Sequence, residues 1–226
     1  MKPQAKNGIR LPQLPKRLDT GSFEQLAVQP EFSQVVLSEA DLSDLDAAGL
    51  LFEQVILRRV VLLKTRFSSL RVFDSRVERC SCSAARWERA RFRRVEISDC
   101  RLSSADFSES SFEDLLVKDC NAEGAIFYGA AFKPARFENC NLRGASFEGA
   151  DLSGVVFQRC DLSQANLSGA KLAGADLRSS TIDSVKAGVK ELLGAIISPV
   201  QSVQVVSLLG IVVKEDEPPN PGLSEI

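Results

Sequence analysis

The chain has 226 residues, 44% of them hydrophobic, and 30 acidic against 28 basic side chains leave a net charge of -2, so as a whole it is neither a polycation nor a strong polyanion. It has no histidine, which removes the commonest acid-base residue and metal ligand. No apolar run approaches the roughly 20 residues of a membrane span, and Met1 to Thr20 lacks the apolar core of a signal peptide, so a soluble cytoplasmic protein with no membrane partner is expected.

Residues 1–30 are basic and then mixed, with Pro3, Pro12, Pro15 and Pro30 and no helix or strand period. An N-terminal arm or partial cap is expected here, with Lys2, Lys6, Arg10, Lys16 and Arg17 solvated in preference to touching an acidic partner. From Phe32 to Ile182 every fifth residue is uncharged and mostly large and apolar, from Phe32, Leu37, Leu42 and Ala47 through to Leu167, Leu172, Leu177 and Ile182. Two residues before each centre stands a second, usually smaller set, including Ala85, Ala105, Ala125, Ala145, Ala165 and Cys80, Cys100, Cys120, Cys140 and Cys160.

A strand repeats every two residues and a helix every 3.6, so neither yields a seamless period of five. A coil that turns a corner every five residues does, with each centre and its i-2 partner pointing inward. Identities also recur every twenty residues: the five cysteines fall on one column, Phe92, Phe112 and Phe132 on another, and Phe107, Phe127 and Phe147 on a third. Four sides per coil follow. About eight such coils, stacked at ~4.8 Å, give a rod roughly 40 Å tall. A helical solenoid fails on Gly129, Gly144, Gly149, Gly154, Gly169 and Gly174, each costing a helix interior about 1 kcal/mol.

The units Cys140-Asn141-Leu142-Arg143-Gly144, Ala150-Asp151-Leu152-Ser153-Gly154 and Ala165-Asn166-Leu167-Ser168-Gly169 resemble those of pentapeptide repeat proteins. That resemblance covers about two thirds of the chain and implies an all-β solenoid, a right-handed quadrilateral β-helix over residues 31–184. Early units carry Leu45, Leu50, Val55, Val60 and Leu70 where a small residue is usual, so the first coils are expected to be wider or distorted.

Past Ile182 the period ends. Val189 to Ile197 reads as a short helix or strand closing the last coil, and Ser198-Pro199-Val200-Gln201 as a helix start with a capping box. Val200, Val203, Val206, Leu208 and Leu209 form an apolar face up to Gly210, and Ile211 to Val213 a short β-like run. Residues 185–213 are thus expected to cap the rod and cover an unpaired edge, while the acidic residues 214–226 form a disordered tail. The family resemblance implies that a cap of this kind, here Ser198, Pro199, Val203, Val206 and Leu209, also builds a two-fold homodimer.

The cysteine column projects in parallel, whereas a structural zinc needs four converging ligands; with no secretory segment, all six cysteines read as buried free thiols. Asp41, Asp46, Asp106, Asp151, Asp161 and Asp176 recur just before the centres, as turn-forming residues would. Tyr128 has no base beside it, and no nucleotide-binding or nucleophile motif is present. No enzyme, metal or cofactor is expected.

Charge is banded. Residues 58–101 carry 13 basic and 5 acidic side chains. Arg66 stacks with Arg86, Arg71 with Arg91 and Arg59 with Arg79, while Arg76 with Glu96, and Asp74 with Arg94 and Asp114, read as ion pairs. The band lacks exposed aromatics for stacking on bases, so direct nucleic-acid binding is not expected. Two readings of function remain. One is a non-enzymatic protein-binding scaffold of unknown partner. The other, implied by resemblance to a branch of the family, is a DNA-mimicking protein that protects or inhibits DNA gyrase or topoisomerase IV, for which Asp151, Asp161, Asp176 and Asp183 would supply a negative patch and against which the arginine band runs.

Overall fold

The computed structural model describes residues 5, 6, 8–24, 30–208, 210–212 and 214. From Glu31 onward the chain winds in coils of twenty residues. Successive coils pair in parallel, always at an offset of twenty, from Glu31↔Leu51 to Asp176↔Ile196. The first side of each coil is centred on the column containing Phe92, Phe112 and Phe132, the second on that of Ile97, Val117 and Phe137. The third is centred on Leu102, Ala122 and Leu142, and the fourth on Phe107, Phe127 and Phe147. This is the all-β solenoid expected from the period of five. In the middle of the rod the first two sides merge into single strands, Arg71–Glu78, Arg91–Ser98, Ser111–Lys118 and Ala131–Glu138.

The corners explain the period. Two residues after each centre the backbone turns left-handed, with positive φ at every such residue from Gln34 to Ser184 except Pro134 and Ser179. A proline ring holds φ near -65° and cannot comply. Later corners favour glycine, as at Gly144, Gly149 and Gly154, because a residue without Cβ enters this region without steric penalty.

Centres and their i-2 partners fill the interior. Aromatic rings stack from coil to coil, with centroids 4.7 Å apart for Phe112–Phe132, 5.0 Å for Phe127–Phe147 and 5.2 Å for Phe137–Phe157. Rings on adjacent sides meet edge to face, as Phe107 and Phe112 do at 6.0 Å. The bulky early residues Leu50, Val55, Val60 and Leu70 are fully inside.

All six cysteines are free and buried. In the column a thiol can bridge coils: Cys80 N donates to Cys100 Sγ at 3.3 Å, and Cys100 Sγ lies 3.5 Å from Val77 O and 3.2 Å from Ser98 O. Ser180 continues the column, its Oγ accepting from Cys160 N at 3.0 Å and donating to Phe157 O at 2.9 Å. From Cys80 to Ser180 the column thus carries thiols and a hydroxyl, whereas Ala40 and Val60 fill it in the first coils. Burial pushes the Cys82 thiol well above its ordinary value. Because all six thiols are buried, an aromatic disulfide reagent is expected to titrate none of them in the native protein, and all six in denaturant.

Among the described residues of the N-terminal arm, Lys16 and Arg17 are exposed as expected, but Arg10 is bound to the rod, and Lys2 lies outside the described residues. Residues 8–21 descend along the outside of the corner between the first and second sides. Arg10 is tied to Asp114, Nε to Oδ2 at 2.6 Å, and to Glu113 at 2.9 Å. Asp19–Thr20 then joins the sheet beside Val35–Ser38.

At the other end Val189–Leu192 forms helix α1 and Pro199–Leu208 helix α2. The capping box is present: Ser198 N donates to Gln201 Oε1 at 2.8 Å, and Gln201 N to Ser198 Oγ at 3.3 Å. The buried face of α2 differs from the one expected. Gln201 is buried and Val205 and Leu208 pack on the core, while Val200 and Val203 point into solvent and Val206 is half-buried. The cause is Gln201, whose Nε2 donates to the last-coil carbonyls of Leu177 and Ser180 at 2.8 and 2.7 Å and so rotates the helix. Ile211 and Val212 are exposed and form no strand; Leu209, Val213 and residues 215–226 lie outside the described residues.

Candidate interaction surface

Outward positions are the centre's two following residues and the one before it. Where the residue before the centre is Asp or Asn, it is in every case but Asp46 tied into the coil. Asp41, Asp106, Asp151, Asp161 and Asp176 each accept the backbone N–H two residues ahead, at 2.9–3.2 Å. Asn121, Asn141 and Asn166 do the same. These side chains hold turns.

The same bonds set a pH dependence. The Ser43 hydroxyl and amide lower the Asp41 pKa, those of Ser153 lower Asp151, and the Arg178 guanidinium lowers Asp176. A carboxylate lowered in the fold stabilises it above the unfolded value, about 3.9, and that contribution is lost as pH falls through the folded value. With no histidine, the melting temperature is expected to stay flat from pH 6 to 8 and to fall only below about pH 4, as followed by thermal circular dichroism.

The acidic candidates do not converge. Asp151 lies on the first side, Asp161 on the third and Asp176 on the second, where Arg178 pairs with it at 2.7 Å. Asp183 accepts from Gln204.

The arginines sort into two groups. Arg58 pairs with Glu78 at 3.0 Å, Arg59 with Glu39 at 3.1 Å, Arg76 with Glu96 at 3.4 Å and Arg89 with Glu109 at 2.8 Å; Arg94 pairs with Asp74. Arg71 reaches Glu31 only at 3.9 Å. Arg66, Arg79, Arg86 and Arg91 are exposed and have no ion-pair partner among the described residues. Arg66↔Arg86 and Arg71↔Arg91 are register partners on the fourth and first sides, whereas Arg59 and Arg79 stand at the corner between the second and third. One basic surface thus wraps two adjoining sides, with a separate pair diagonally across the rod. Beside it, Arg93 lies over the Phe73 ring at 4.8 Å, in an open groove of about 500 Å³ that Glu113 and Lys133 also line. Tyr128 stands exposed on the fourth side.

Among the described residues no group of three or more acidic or cysteine side chains could hold a metal, and no helix is long and apolar enough to cross a membrane.

Comparison with known families accounts for this architecture. Residues 98–167 match the model described as a pentapeptide repeat region, and residues 78–114 match that of pentapeptide repeats in eight copies. Residues 78–167 are thus a pentapeptide repeat region. Among solved structures, the chain is similar to HetL, a pentapeptide repeat protein involved in heterocyst differentiation regulation in the cyanobacterium Nostoc sp. strain PCC 7120. The two are 20% identical over 69% of this chain and 84% of HetL, with a TM-score of 0.36. It is also similar to full-length QnrB1, a plasmid-mediated fluoroquinolone resistance protein, at 21% identity over 80% of this chain and all of QnrB1, with a TM-score of 0.38. A third similar structure is Rfr23 of the cyanobacterium Cyanothece 51142, 13% identical over 77% of this chain and 95% of that one, with a TM-score of 0.19. No curated protein matches the pentapeptide repeat sequence described here.

Proposed function

We propose that this protein is a non-enzymatic binding rod that acts through its outer surface on a protein partner, and that the partner is a type II topoisomerase. The observation carrying the first part is the row of exposed arginines, Arg66 with Arg86 and Arg71 with Arg91, at one-coil spacing. Among the described residues only Arg71 of these reaches a carboxylate, Glu31 at 3.9 Å, although Asp46 and Asp106 are the register neighbours on either side of Arg66 and Arg86. Like charges directly opposite on paired strands are destabilising, and a complementary partner offsets that. The surface groove beside them is shallow and open, whereas catalysis calls for converging groups in a cleft. QnrB1's role in fluoroquinolone resistance directs the choice of partner, since fluoroquinolones inhibit type II topoisomerases.

The cap extends the proposal to a homodimer. Val189, Leu193, Ile196, Val200 and Val203 are exposed around α1 and α2, apolar side chains at the end of the rod that a second copy would cover. Sedimentation equilibrium is expected to give twice the 24.6 kDa chain mass, and Val203→Glu to return the monomer.

Binding is tested by titrating purified gyrase and topoisomerase IV with the protein in a calorimeter. A saturable interaction that Arg66→Glu with Arg86→Glu weakens at least tenfold, with an unchanged melting temperature, supports the arginine surface. Loss instead on Asp151→Lys or Asp161→Lys supports the DNA-mimicking form. No heat with either enzyme overturns the partner assignment.

A further inference from the structure

We propose that the outer corner between the first and second sides is a binding site for an extended, arginine-bearing peptide, filled in the resting protein by the chain's own residues 8–20. The proposal is independent of the topoisomerase reading. The rod contributes one residue per coil to this track, Gln34, Gln54, Asp74, Arg94 and Asp114, all at left-handed corners.

The upper end reads an arginine. Arg10 N and Nε both donate to the Asp114 carboxylate, at 3.0 and 2.6 Å, and its terminal nitrogen donates to Glu113 at 2.9 Å. Asp114 is only 2% exposed under this contact. Charge-assisted bonds of this two-point kind are among the stronger and more directional in proteins.

Two coils lower the track reads backbone. Asp74 Oδ1 accepts the Gln13 N–H at 3.0 Å, while Gln54 Nε2 donates to the Gln13 carbonyl at 3.0 Å. Both readers are held by the rod itself. Arg94 Nε donates to Asp74 at 2.6 Å, and Gln34 Nε2 donates to Gln54 Oε1 at 2.9 Å. The spacing fits an extended ligand: three residues at ~3.3 Å cover about 10 Å, as do two coils at ~4.8 Å.

An apolar contact completes the site. Leu116 occupies an outward position that is Arg76, Glu96 and Arg136 on neighbouring coils, yet it is 6% exposed. Ile9, 3% exposed, comes from the strand lying against Ser111–Lys118 and Ala131–Glu138. Pro12 and Pro15 keep the following segment extended. The ligand pattern is therefore an apolar residue, then arginine, then a free backbone N–H and carbonyl three residues on. Main-chain reading plus side-chain pockets is a known mode of peptide capture. A segment of another protein with this pattern would compete with the arm.

The test uses a fluorescein-labelled synthetic peptide of residues 5–18 and the full-length chain carrying Ile9→Ser with Arg10→Ser, which loosens the arm. The peptide is expected to bind this variant at least tenfold more tightly than it binds the unaltered chain, whose site is filled. Adding Asp114→Asn is expected to weaken binding at least tenfold, and so is raising the salt from 50 to 500 mM. A folded variant that ignores the peptide, or binds it equally with Asp114→Asn, overturns the proposal. Should the loosened variant fail to fold, a single protease site placed after Arg17 in the otherwise unaltered chain serves instead. The cut arm is expected to co-elute with the rod at low salt and to separate when Asp114→Asn is present. Separation at low salt without that change, or co-elution with it, overturns the proposal.

Discussion

Replacing Phe127 by alanine is expected to destabilise the protein by about 3–5 kcal/mol, the range for deleting a fully packed aromatic ring. Phe127 sits at the centre of the aromatic interior. It stacks between Phe107 at 5.3 Å and Phe147 at 5.0 Å, and meets Phe112, Phe132 and Phe137 across the coil at 5.8–6.3 Å. Neighbouring coils hang on backbone ladders, as in Phe127 N to Ser146 O at 2.7 Å, and so cannot collapse onto the void. Each coil touches only its neighbours, so damage in the middle also uncouples the two ends. Differential scanning calorimetry is expected to show a lower and broader transition. Phe127→Leu, which keeps a centre of the type found at Leu167 in the same column, is expected to lose less than half as much.

Gln201 carries the second large effect. Its side chain makes three hydrogen bonds, to Ser198 N, Leu177 O and Ser180 O, at the position where the coil stack stops. Gln201→Ala leaves two carbonyls with one donor fewer in a covered site and unmakes the capping box. About 2–3 kcal/mol is expected, from roughly 1–3 kcal/mol per unsatisfied buried group. Because the rod is quasi-one-dimensional, the loss should stay near its end. Hydrogen exchange is expected to quicken at the amides of Thr181 and Lys186 and to remain slow at those of Phe107 and Ile126. Uniform quickening would show that the cap stabilises the whole rod rather than its last coil.

The interior was legible because one rule governs it: inward residues recur every five, and a single frame from Phe32 to Ile182 names the buried centres. Corners were legible for the same reason, since glycine accumulates where the backbone turns left-handed. The arm was not. Arg10 follows no period, and its partner Asp114 lies 104 residues away, so nothing local distinguishes a solvated arginine from one lying on a rod. The helix face was misread for a related reason. Gln201 was legible as a capping-box residue, but its second pair of bonds depends on where the last coil ends, and those bonds turn Val200 and Val203 outward.

Surface chemistry was half legible. The pairs Arg76–Glu96 and Arg94–Asp74 follow from a twenty-residue column and are present. The carboxylates Asp151, Asp161 and Asp176 look like one patch in sequence, yet steps of ten and fifteen residues place them on different sides. Which arginines lack a partner depends on side-chain reach from neighbouring corners: Glu39 pairs with Arg59 one coil away, whereas Arg79 makes no ion pair among the described residues although Asp99 stands one coil from it.

The proposal that this rod acts on a type II topoisomerase is tested most directly by gyrase supercoiling at matched salt, with and without a fluoroquinolone, over a range of protein concentrations. A dose-dependent change in supercoiling or in drug inhibition is expected, lost in the Arg66→Glu, Arg86→Glu double variant while its circular dichroism stays native. Unchanged supercoiling and unchanged drug inhibition at a hundredfold excess of protein over enzyme would contradict it.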